Sequence, residues 1–415
     1  MKFLFSLFLS VQLFNGCNDA SALKQLIPDS IQTDSVEAKP DTITSTLLFV
    51  GDLMQHGPQI KHALACGNNE TYNYDDVFKF VKPMISEATV AIGNLEVTLG
   101  GEPYSGYPRF SAPDQYLYAI KDAGFDVLTT VNNHCVDRGK QGLERTLATL
   151  EKAGIPCCGT YADSVDRNKR YPLVFDAGGI KVCLLSYTYD TNGLPVTKPN
   201  IVNVIDKKMM AADIKKAKSM KPDVIIASMH WGIENVTKEG KEQRELAQWL
   251  IDQGVDHVIG GHPHMIQPST RITDAKGKEH YVVYSLGNYV SNMQLPNNKI
   301  GLTVTLKLQK VTDKGKSKTE LIDVKEEKTY CSFPALNPSN NYRVIPASTP
   351  DSLLSTAERT ARVGSLQKDP VSDKVEKKKP VAKSDTVRKK ATPANSDTVR
   401  RKATTAKTDT IRRRK

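Results

Sequence analysis

The sequence predicts an α/β domain between residues 46 and 345. Apolar runs of strand length alternate along this stretch with amphipathic segments of helical period. Polar residues suited to catalysis or metal binding follow one predicted strand after another. A chain that alternates strands and helices in this way builds sheets covered by helices.

The predicted elements follow one another in that order. Strands are predicted at residues 47–50, 90–92, 127–131, 182–186, 224–228, 257–259 and 281–285, and helices at residues 74–87, 140–153, 207–218 and 241–253. Two late strands, at residues 303–308 and 321–324, have no helix between them and are expected to pair antiparallel. Residues 346–367 are expected to be a linker with a short helix at residues 352–362.

The first residues resemble a bacterial lipoprotein signal peptide, predicted to span residues 1–16. Lys2 precedes an apolar run at residues 3–14 that is too short to span a bilayer as a helix, and Cys17 follows. Cleavage before Cys17 would leave a lipid-carrying cysteine and anchor the protein to a membrane of the cell envelope. The alternative is an ordinary cleaved signal peptide with an incidental cysteine. Residues 17–45 are polar and are expected to be a tether.

The net charge of the chain lies in its last residues. The chain carries +11, and residues 368–415 alone hold 17 Lys and Arg against 6 Asp and Glu, so the rest is neutral. The basic pI therefore gives no reason to expect nucleic-acid binding. A repeat with a period of 12 residues runs through this tail without aromatic residues, so we expect disorder. The tail is either a solvated charged segment or a contact for anionic lipid, acidic glycan or cell-wall polymer.

Imidazole, carboxylate and amide side chains occupy the ends of the predicted strands. The carboxyl ends of strands in an α/β sheet meet at one edge, where ligands bind. Four of the eight histidines fall in these positions. This mixture of donors suits Mn, Zn or Fe better than Ca or Mg, and the alternative is a ring of structural polar residues. The residues concerned are Asp52, Asn94, Glu96, Asn133, His134, Asp137, His230, Trp231, Glu234, His262, His264, Gln267 and Asn288.

Six motifs, in order, resemble those of the bacterial capsule synthesis (CapA, poly-γ-glutamate synthesis) family. They are Gly-Asp-Leu-Met, Gly-Asn-Leu-Glu, Asn-Asn-His-x-x-Asp-x-Gly, His-Trp-Gly-x-Glu, Gly-His-Pro-His-x-x-Gln and Tyr-Ser-Leu-Gly-Asn. The resemblance covers roughly residues 46–345. The family in turn resembles the calcineurin-like metallophosphoesterases, which implies a four-layer α-β-β-α sandwich.

The resemblance also implies roles for individual residues. His134 would be the general acid, and Asp137 and Glu234 would orient His134 and a metal-bound histidine. Glu96 would bridge the metal ions. The full set implied to hold one or two divalent transition-metal ions is Asp52, Glu96, Asn133, His230, His262 and His264. The residues expected to contact substrate are Asn94, Trp231, Gln267 and Asn288.

Two departures from the metallophosphoesterase pattern bear on the number of ions. Met54 stands where those enzymes have a histidine, and His56 lies two residues further along. Asn-Leu-Glu replaces their Asp-rich second motif. Either the site holds one metal ion or it holds two less tightly.

Two functions fit this sequence. The first is a metal-dependent hydrolase of the cell envelope, which cleaves a phosphoester, a γ-glutamyl bond or a similar linkage with a metal-activated water. The second is a non-catalytic accessory subunit that binds or guides a polyanionic polymer in a capsule-synthesis complex. The predicted partners are the membrane, an anionic polymer or surface, and that complex, but not nucleic acid.

Overall fold

The computed structural model describes residues 40–274 and 276–367. The predicted signal peptide, Cys17 and the basic tail lie outside the described residues. The strands are β1 (Asp41–Leu53), β2 (Val90–Leu95), β3 (Val127–Thr129), β4 (Cys157–Cys158), β5 (Thr160–Tyr161), β6 (Leu173–Ala177), β7 (Ile180–Thr188), β8 (Ile201–Val202), β9 (Val224–His230), β10 (His257–Gly261), β11 (Ile266–Thr273), β12 (Glu279–Leu286), β13 (Asn288–Val290), β14 (Ile300–Asp313), β15 (Lys316–Ser332) and β16 (Arg343–Pro346).

Eight α-helices accompany these strands in the described part of the chain. They are α1 (Gly57–Cys66), α2 (Lys82–Glu87), α3 (Asp114–Asp122), α4 (Gly139–Ala153), α5 (Ser164–Arg170), α6 (Lys207–Ser219), α7 (Lys241–Asp252) and α8 (Thr356–Gln367). None of these helices is long and apolar enough to cross a membrane.

The strands form two large sheets. The first has the order β16-β15-β14-β1-β2-β3-β4, and β13 also pairs with β1. The second has the order β11-β12-β10-β9-β7-β6. The inner strands β1 to β4 run parallel in the first sheet, as do β7, β9, β10 and β12 in the second. Strands β14 and β15 pair antiparallel, as the sequence predicts.

The side chains of β1 show why the two sheets stack. Successive residues of a strand point to opposite faces. Leu47 and Phe49 belong to a core shared with the second sheet, whereas Leu48 and Val50 belong to a core shared with helix α3. Helices α6 and α7 contribute to the core of the second sheet through their buried faces. The predicted α-β-β-α layering is therefore confirmed.

The packed region extends beyond the residues predicted for the domain. Strand β1 begins at Asp41, within the predicted tether, because residues 41–46 pair with β14 from Thr312 back to Lys307. Backbone pairing orders these polar residues, which carry no apolar pattern. Helix α8 also packs onto the domain, and Ser332 Oγ at the end of β15 donates to Glu358 Oε1 of this helix at 2.9 Å. The predicted linker is thus a fixed part of the fold from residue 346 to residue 367.

The predicted helix at residues 74–87 is mostly wrong. Only Lys82–Glu87 is helical, with a proline in its first turn, and the preceding residues form turns. Proline lacks a backbone N–H and is tolerated in the first turn of a helix but not in its interior. The apolar spacing of this segment reflects packing of turn residues such as Val77 and Phe78 on the core.

His257, at the start of β10, is a buried histidine far along its strand from the polar residues of the strand ends, and it predicts how stability depends on pH. Its Nδ1 accepts a hydrogen bond from the backbone N–H of Tyr281 at 3.1 Å, and burial lowers its pKa from 6.5 to about 4. The unfolded chain takes up this proton below about pH 6.5, but the folded protein takes it up only near pH 4. Stability linked to His257 is therefore complete above pH 6.5 and is lost as the pH falls toward 4.

We expect His257→Gln to flatten this acid response, because glutamine keeps an acceptor and does not titrate. Between pH 7 and 5, the free energy of unfolding should fall by about 2 kcal/mol less in the variant than in the wild type. Urea unfolding of metal-free protein at both pH values measures this difference. An equal fall in both proteins would show that His257 does not carry the effect.

Candidate metal centre

The two sheets bring their strand ends together at one edge. In the first sheet, Asp52 of β1 lies in register with Asn94 of β2 on one side and Asn288 of β13 on the other. In the second sheet, His230 at the end of β9 lies beside Gly261 of β10. The sheets approach closely here, since a Cβ on Gly261 would lie 3.1 Å from Asp52 Oδ1. Residues from separate sheets therefore share one buried site.

Asp52 is held as a carboxylate by its neighbours. Asn94 Nδ2 donates to Asp52 Oδ1 at 2.8 Å, and His264 Nδ1 lies 3.2 Å from Asp52 Oδ2. Burial alone would raise the pKa of Asp52, but the adjacent imidazole of His264, whose own pKa is raised, holds it well below its usual range. His264 Nδ1 also lies 3.0 Å from Asn288 Oδ1. Asp52 is thus ionised and oriented before any ligand binds.

Glu96 is fully buried without a hydrogen-bond donor for either of its carboxylate oxygens. The nearest ring nitrogens, His230 Nε2 and His264 Nε2, lie 3.5 and 3.7 Å from Oε1. Burial and the neighbouring charge of Asp52 raise the pKa of Glu96 well above its ordinary value. An unpartnered buried carboxylate costs several kcal/mol unless a cation or donor meets it. Glu96 is therefore placed to meet a cation in the interior of the site.

Two histidines of this edge, His230 and His262, are buried in their neutral form. Burial lowers the pKa of His262 to about 3, and burial lowers that of His230 well below its usual value. His230 Nε2 lies 2.8 Å from Asn133 Oδ1, whereas His262 Nδ1 has no hydrogen-bond partner. Neutral imidazole is the form that binds metals, so these rings need not lose a proton at neutral pH.

The turn that carries the last two histidines has an unusual backbone. His262 has φ +98° and His264 has φ +56°, both in the left-handed region that residues other than glycine rarely adopt. Such conformations cost about 1–3 kcal/mol each and persist where the surroundings impose them. Here Asn298 Nδ2 donates to the carbonyl of His264 at 2.8 Å. This backbone conformation directs both imidazoles toward the same buried edge.

These residues fit a divalent metal ion. Among the described residues, potential ligand atoms within 4.8 Å of one another occur in the groups Glu96/His230/His262, Asp52/Glu96/His264 and Glu234/His262/His264. The first two groups share Glu96, so its carboxylate lies within reach of both sets of imidazoles. Nitrogen and oxygen donors together suit Mn, Zn or Fe. Asp52, Glu96, Asn133, His230, His262 and His264 are hereafter called the metal centre.

His134 lies beside the metal centre and is paired with an acid. Its Nδ1 is 2.8 Å from Asp137 Oδ2, and the backbone N–H of Phe110 donates to the same oxygen at 2.7 Å. Because an ionised carboxylate only accepts hydrogen bonds, His134 carries its proton on Nδ1. The Phe110 ring packs edge-on against His134 with centroids 4.6 Å apart. Nε2 of His134 is left to exchange a proton with a ligand.

Two of the four residues expected to contact substrate have buried structural partners. Trp231 is buried and its Nε1 donates to the carbonyl of Tyr284 at 2.9 Å. Gln267 accepts from Gln243 Nε2 at 2.9 Å, and its own amide donates to the carbonyl of Val236. The other two, Asn94 and Asn288, contact residues of the metal centre. Asn94 donates to Asp52, and Asn288 Oδ1 lies 3.0 Å from His264 Nδ1.

Two residues at this edge lie outside the predicted site. The Tyr189 ring lies 4.4 Å from the His262 ring, and burial raises its pKa to about 12. Tyr189 directly follows β7, so the strand-end rule used for the other strands could have found it. His56 lies on the other side, where its Nδ1 accepts from the backbone N–H of Asn292 at 3.2 Å. Its ring packs 5.3 Å from that of Phe110.

A family comparison covers the segment that carries the metal centre. Residues 46–293 match the family described as bacterial capsule synthesis protein PGA_cap. The chain belongs to this family. All six residues of the metal centre lie within the matched segment.

Two Bacillus proteins are relatives of this capsule synthesis family member. The capsule biosynthesis protein CapA of Bacillus anthracis is 30% identical over 257 residues, which are 59% of this chain and 59% of that protein. The PGA biosynthesis protein CapA of Bacillus subtilis (strain 168) is 27% identical over 307 residues, which are 71% and 75% of the two chains. The match thus spans less than two thirds of the B. anthracis protein.

Solved structures similar to this family member include two nucleotidases. The NAD nucleotidase of Haemophilus influenzae has a TM-score of 0.42 and 13% identity, with 80% of this chain and 64% of that chain covered. A putative 5'-nucleotidase from Staphylococcus aureus has a TM-score of 0.41 and 13% identity, with 78% and 58% covered.

Proposed function

We propose that this protein is a metal-dependent hydrolase of the cell envelope that serves capsule or poly-γ-glutamate synthesis. The observation that carries the proposal is Glu96, a buried carboxylate without a donor that faces the imidazoles of His230 and His264. A divalent ion satisfies these groups together, whereas packing alone would favour apolar residues there. The assignment to capsule or poly-γ-glutamate synthesis is supported by the family and by the names of the Bacillus relatives.

We assign separate roles in hydrolysis to the residues around the metal centre. A bound divalent ion supplies Lewis-acid polarisation of a substrate oxygen and lowers the pKa of water. His134 Nε2 delivers a proton to the leaving oxygen, because Nδ1 is engaged by Asp137. Asn133 places its amide oxygen 2.8 Å from His230 Nε2, on the side of the metal centre, while its Nδ2 donates to Asn192 Oδ1 at 3.1 Å.

Hydrolysis by the protein without residues 1–16 tests the proposal. The protein is stripped with chelator, reloaded with Mn²⁺ or Zn²⁺, and offered a chromogenic phosphodiester and a γ-glutamyl anilide. We expect stoichiometric metal and turnover of at least one substrate that disappears on chelation. Stoichiometric metal without turnover of either would favour the non-catalytic accessory role. A protein that binds neither ion would contradict the metal centre itself.

We also propose that Cys17 anchors the protein to a membrane of the cell envelope. The apolar run at residues 3–14 followed by Gly16 and Cys17 supports lipid attachment at this cysteine. Cys17→Ala is expected to move the protein from the membrane fraction to the soluble fraction, or to leave a precursor of full length. A variant that remains in the membrane fraction at mature size would contradict lipid anchoring.

A further inference from the structure

Glu234 stands at the solvent side of the metal centre. Its side chain is exposed, whereas Glu96 is buried. A carboxylate oxygen of Glu234 lies within 4.8 Å of ring nitrogens of His262 and His264. Each of these histidines also belongs to a group that contains Glu96. The two imidazoles thus have one carboxylate in the interior and a second one facing solvent.

The turn that carries Glu234 is bonded to the turn that carries the histidines. Before Glu234, the backbone N–H of Trp231 donates to the carbonyl of Gly261 at 3.1 Å. After it, the backbone N–H of Asn235 donates to the carbonyl of Pro263 at 2.8 Å. These bonds lie on both sides of Glu234 in the chain. The position of its carboxylate relative to the imidazoles is therefore set by the backbone.

A side-chain bridge fixes the same two turns. Asn298 Nδ2 lies 3.2 Å from Asn235 Oδ1 and 2.8 Å from the carbonyl of His264. The turn that presents Glu234 is thus held in place beside the turn of the histidines.

Glu234 meets the buried ligand groups through the histidines. His264 belongs both to the group Asp52/Glu96/His264 and to the group Glu234/His262/His264. Met54 is buried in the core behind β1 and offers no oxygen or nitrogen donor. His56 Nδ1 accepts from the backbone N–H of Asn292, and His56 is in none of the ligand groups of the described residues. Neither of these residues that follow Asp52 takes the place that Glu234 occupies beside the histidines.

We propose that Glu234 is a metal ligand on the solvent side, and that an anionic group of the substrate displaces it. Its charge also matters, because Glu234 adds a third carboxylate to those of Asp52 and Glu96 around the histidines. A carboxylate on an exposed turn can leave the ion with little loss of packing, unlike the buried Glu96. The inference rests on the metal centre of the proposed function but does not require hydrolysis.

Metal titration of the full chain tests this role without an activity assay. Mn²⁺ affinity is measured by calorimetry for the wild type, Glu234→Gln and the control Glu239→Gln. Glu239 lies on the same loop but is paired with Arg244 at 3.2 Å, away from the histidines. We expect Glu234→Gln to weaken Mn²⁺ binding roughly ten- to a hundredfold, in the range seen when groups that support a metal site are removed. The control should bind like the wild type.

Inorganic phosphate serves as the anionic probe for displacement. If Glu234 gives up its position to an anion, the Mn²⁺-loaded Glu234→Gln protein should bind phosphate more tightly than the loaded wild type. Unchanged Mn²⁺ affinity in Glu234→Gln would overturn the ligand role, and weaker phosphate binding would overturn the displacement. A wild type that binds Mn²⁺ but hydrolyses nothing would contradict only the proposed function.

Discussion

Glu96→Gln is expected to abolish metal binding and, at the same time, to stabilise the metal-free protein. Glu96 belongs to two of the three ligand groups, so the loss of its charge removes a ligand from each of those two. Without metal, the wild type holds a buried carboxylate that has no donor. Glutamine has nearly the same shape and carries no charge. We expect the metal-free variant to gain about 1–3 kcal/mol at pH 8.

The pH dependence of this gain follows from the raised pKa of Glu96. Burial and Asp52 raise it, so ionisation is harder in the folded protein than in the unfolded chain. The wild type is therefore penalised increasingly as the pH rises above about 4.5, the usual value for glutamate. The advantage of Glu96→Gln should be large at pH 8 and small at pH 4.

Thermal unfolding with and without Mn²⁺ measures both halves of this prediction. An ion at a hundred times its Kd should stabilise the wild type by about 2.7 kcal/mol and leave Glu96→Gln unchanged. Glu358→Gln is the matched control. Glu358 is equally buried, but it accepts a hydrogen bond from Ser332 Oγ at 2.9 Å. The control should lose stability and keep its response to metal. A Glu96→Gln protein that is destabilised and still responds to metal would contradict the assignment.

The metal centre was predictable because strand ends are visible in sequence. Asp52, His230 and His262 are separated by long stretches of chain, yet each stands at or just after the end of a buried apolar run. Parallel strands bring such ends to one edge whatever the loops between them do. The sequence alone did not reveal that Asp52 and His230 come from different sheets. That contact depends on how the two sheets stack, which involves apolar residues all along both faces.

The direction of individual side chains was harder to predict than their position. Gln267 and Trp231 share motifs with the histidines but turn toward buried structural partners. Tyr189 was missed because its strand ends in no residue typical of metal sites, although its ring contacts His262. The start of β1 at Asp41 could not be predicted from the apolar pattern. Its first residues are ordered by backbone pairing with β14 rather than by apolar side chains.

His134→Ala is expected to separate metal binding from turnover. His134 belongs to none of the candidate ligand groups of the described residues, so its removal should leave the Mn²⁺ content and Mn²⁺ affinity unchanged. Its Nε2 is the nitrogen left to protonate a leaving oxygen, because Nδ1 is paired with Asp137 at 2.8 Å. General acid catalysis contributes roughly 10²- to 10⁴-fold to a rate, so turnover of a phosphodiester should fall by that factor.

Two companion variants make this prediction specific to proton transfer. His262→Ala should lose metal and turnover together, since its ring belongs to two of the ligand groups. His62→Ala, on α1, removes a histidine that pairs with Cys66 and should change neither property. The loss in His134→Ala should also be smaller for substrates whose leaving group is acidic, because such an oxygen leaves without being protonated. Equal losses for acidic and basic leaving groups would mean that His134 positions the substrate rather than donating a proton.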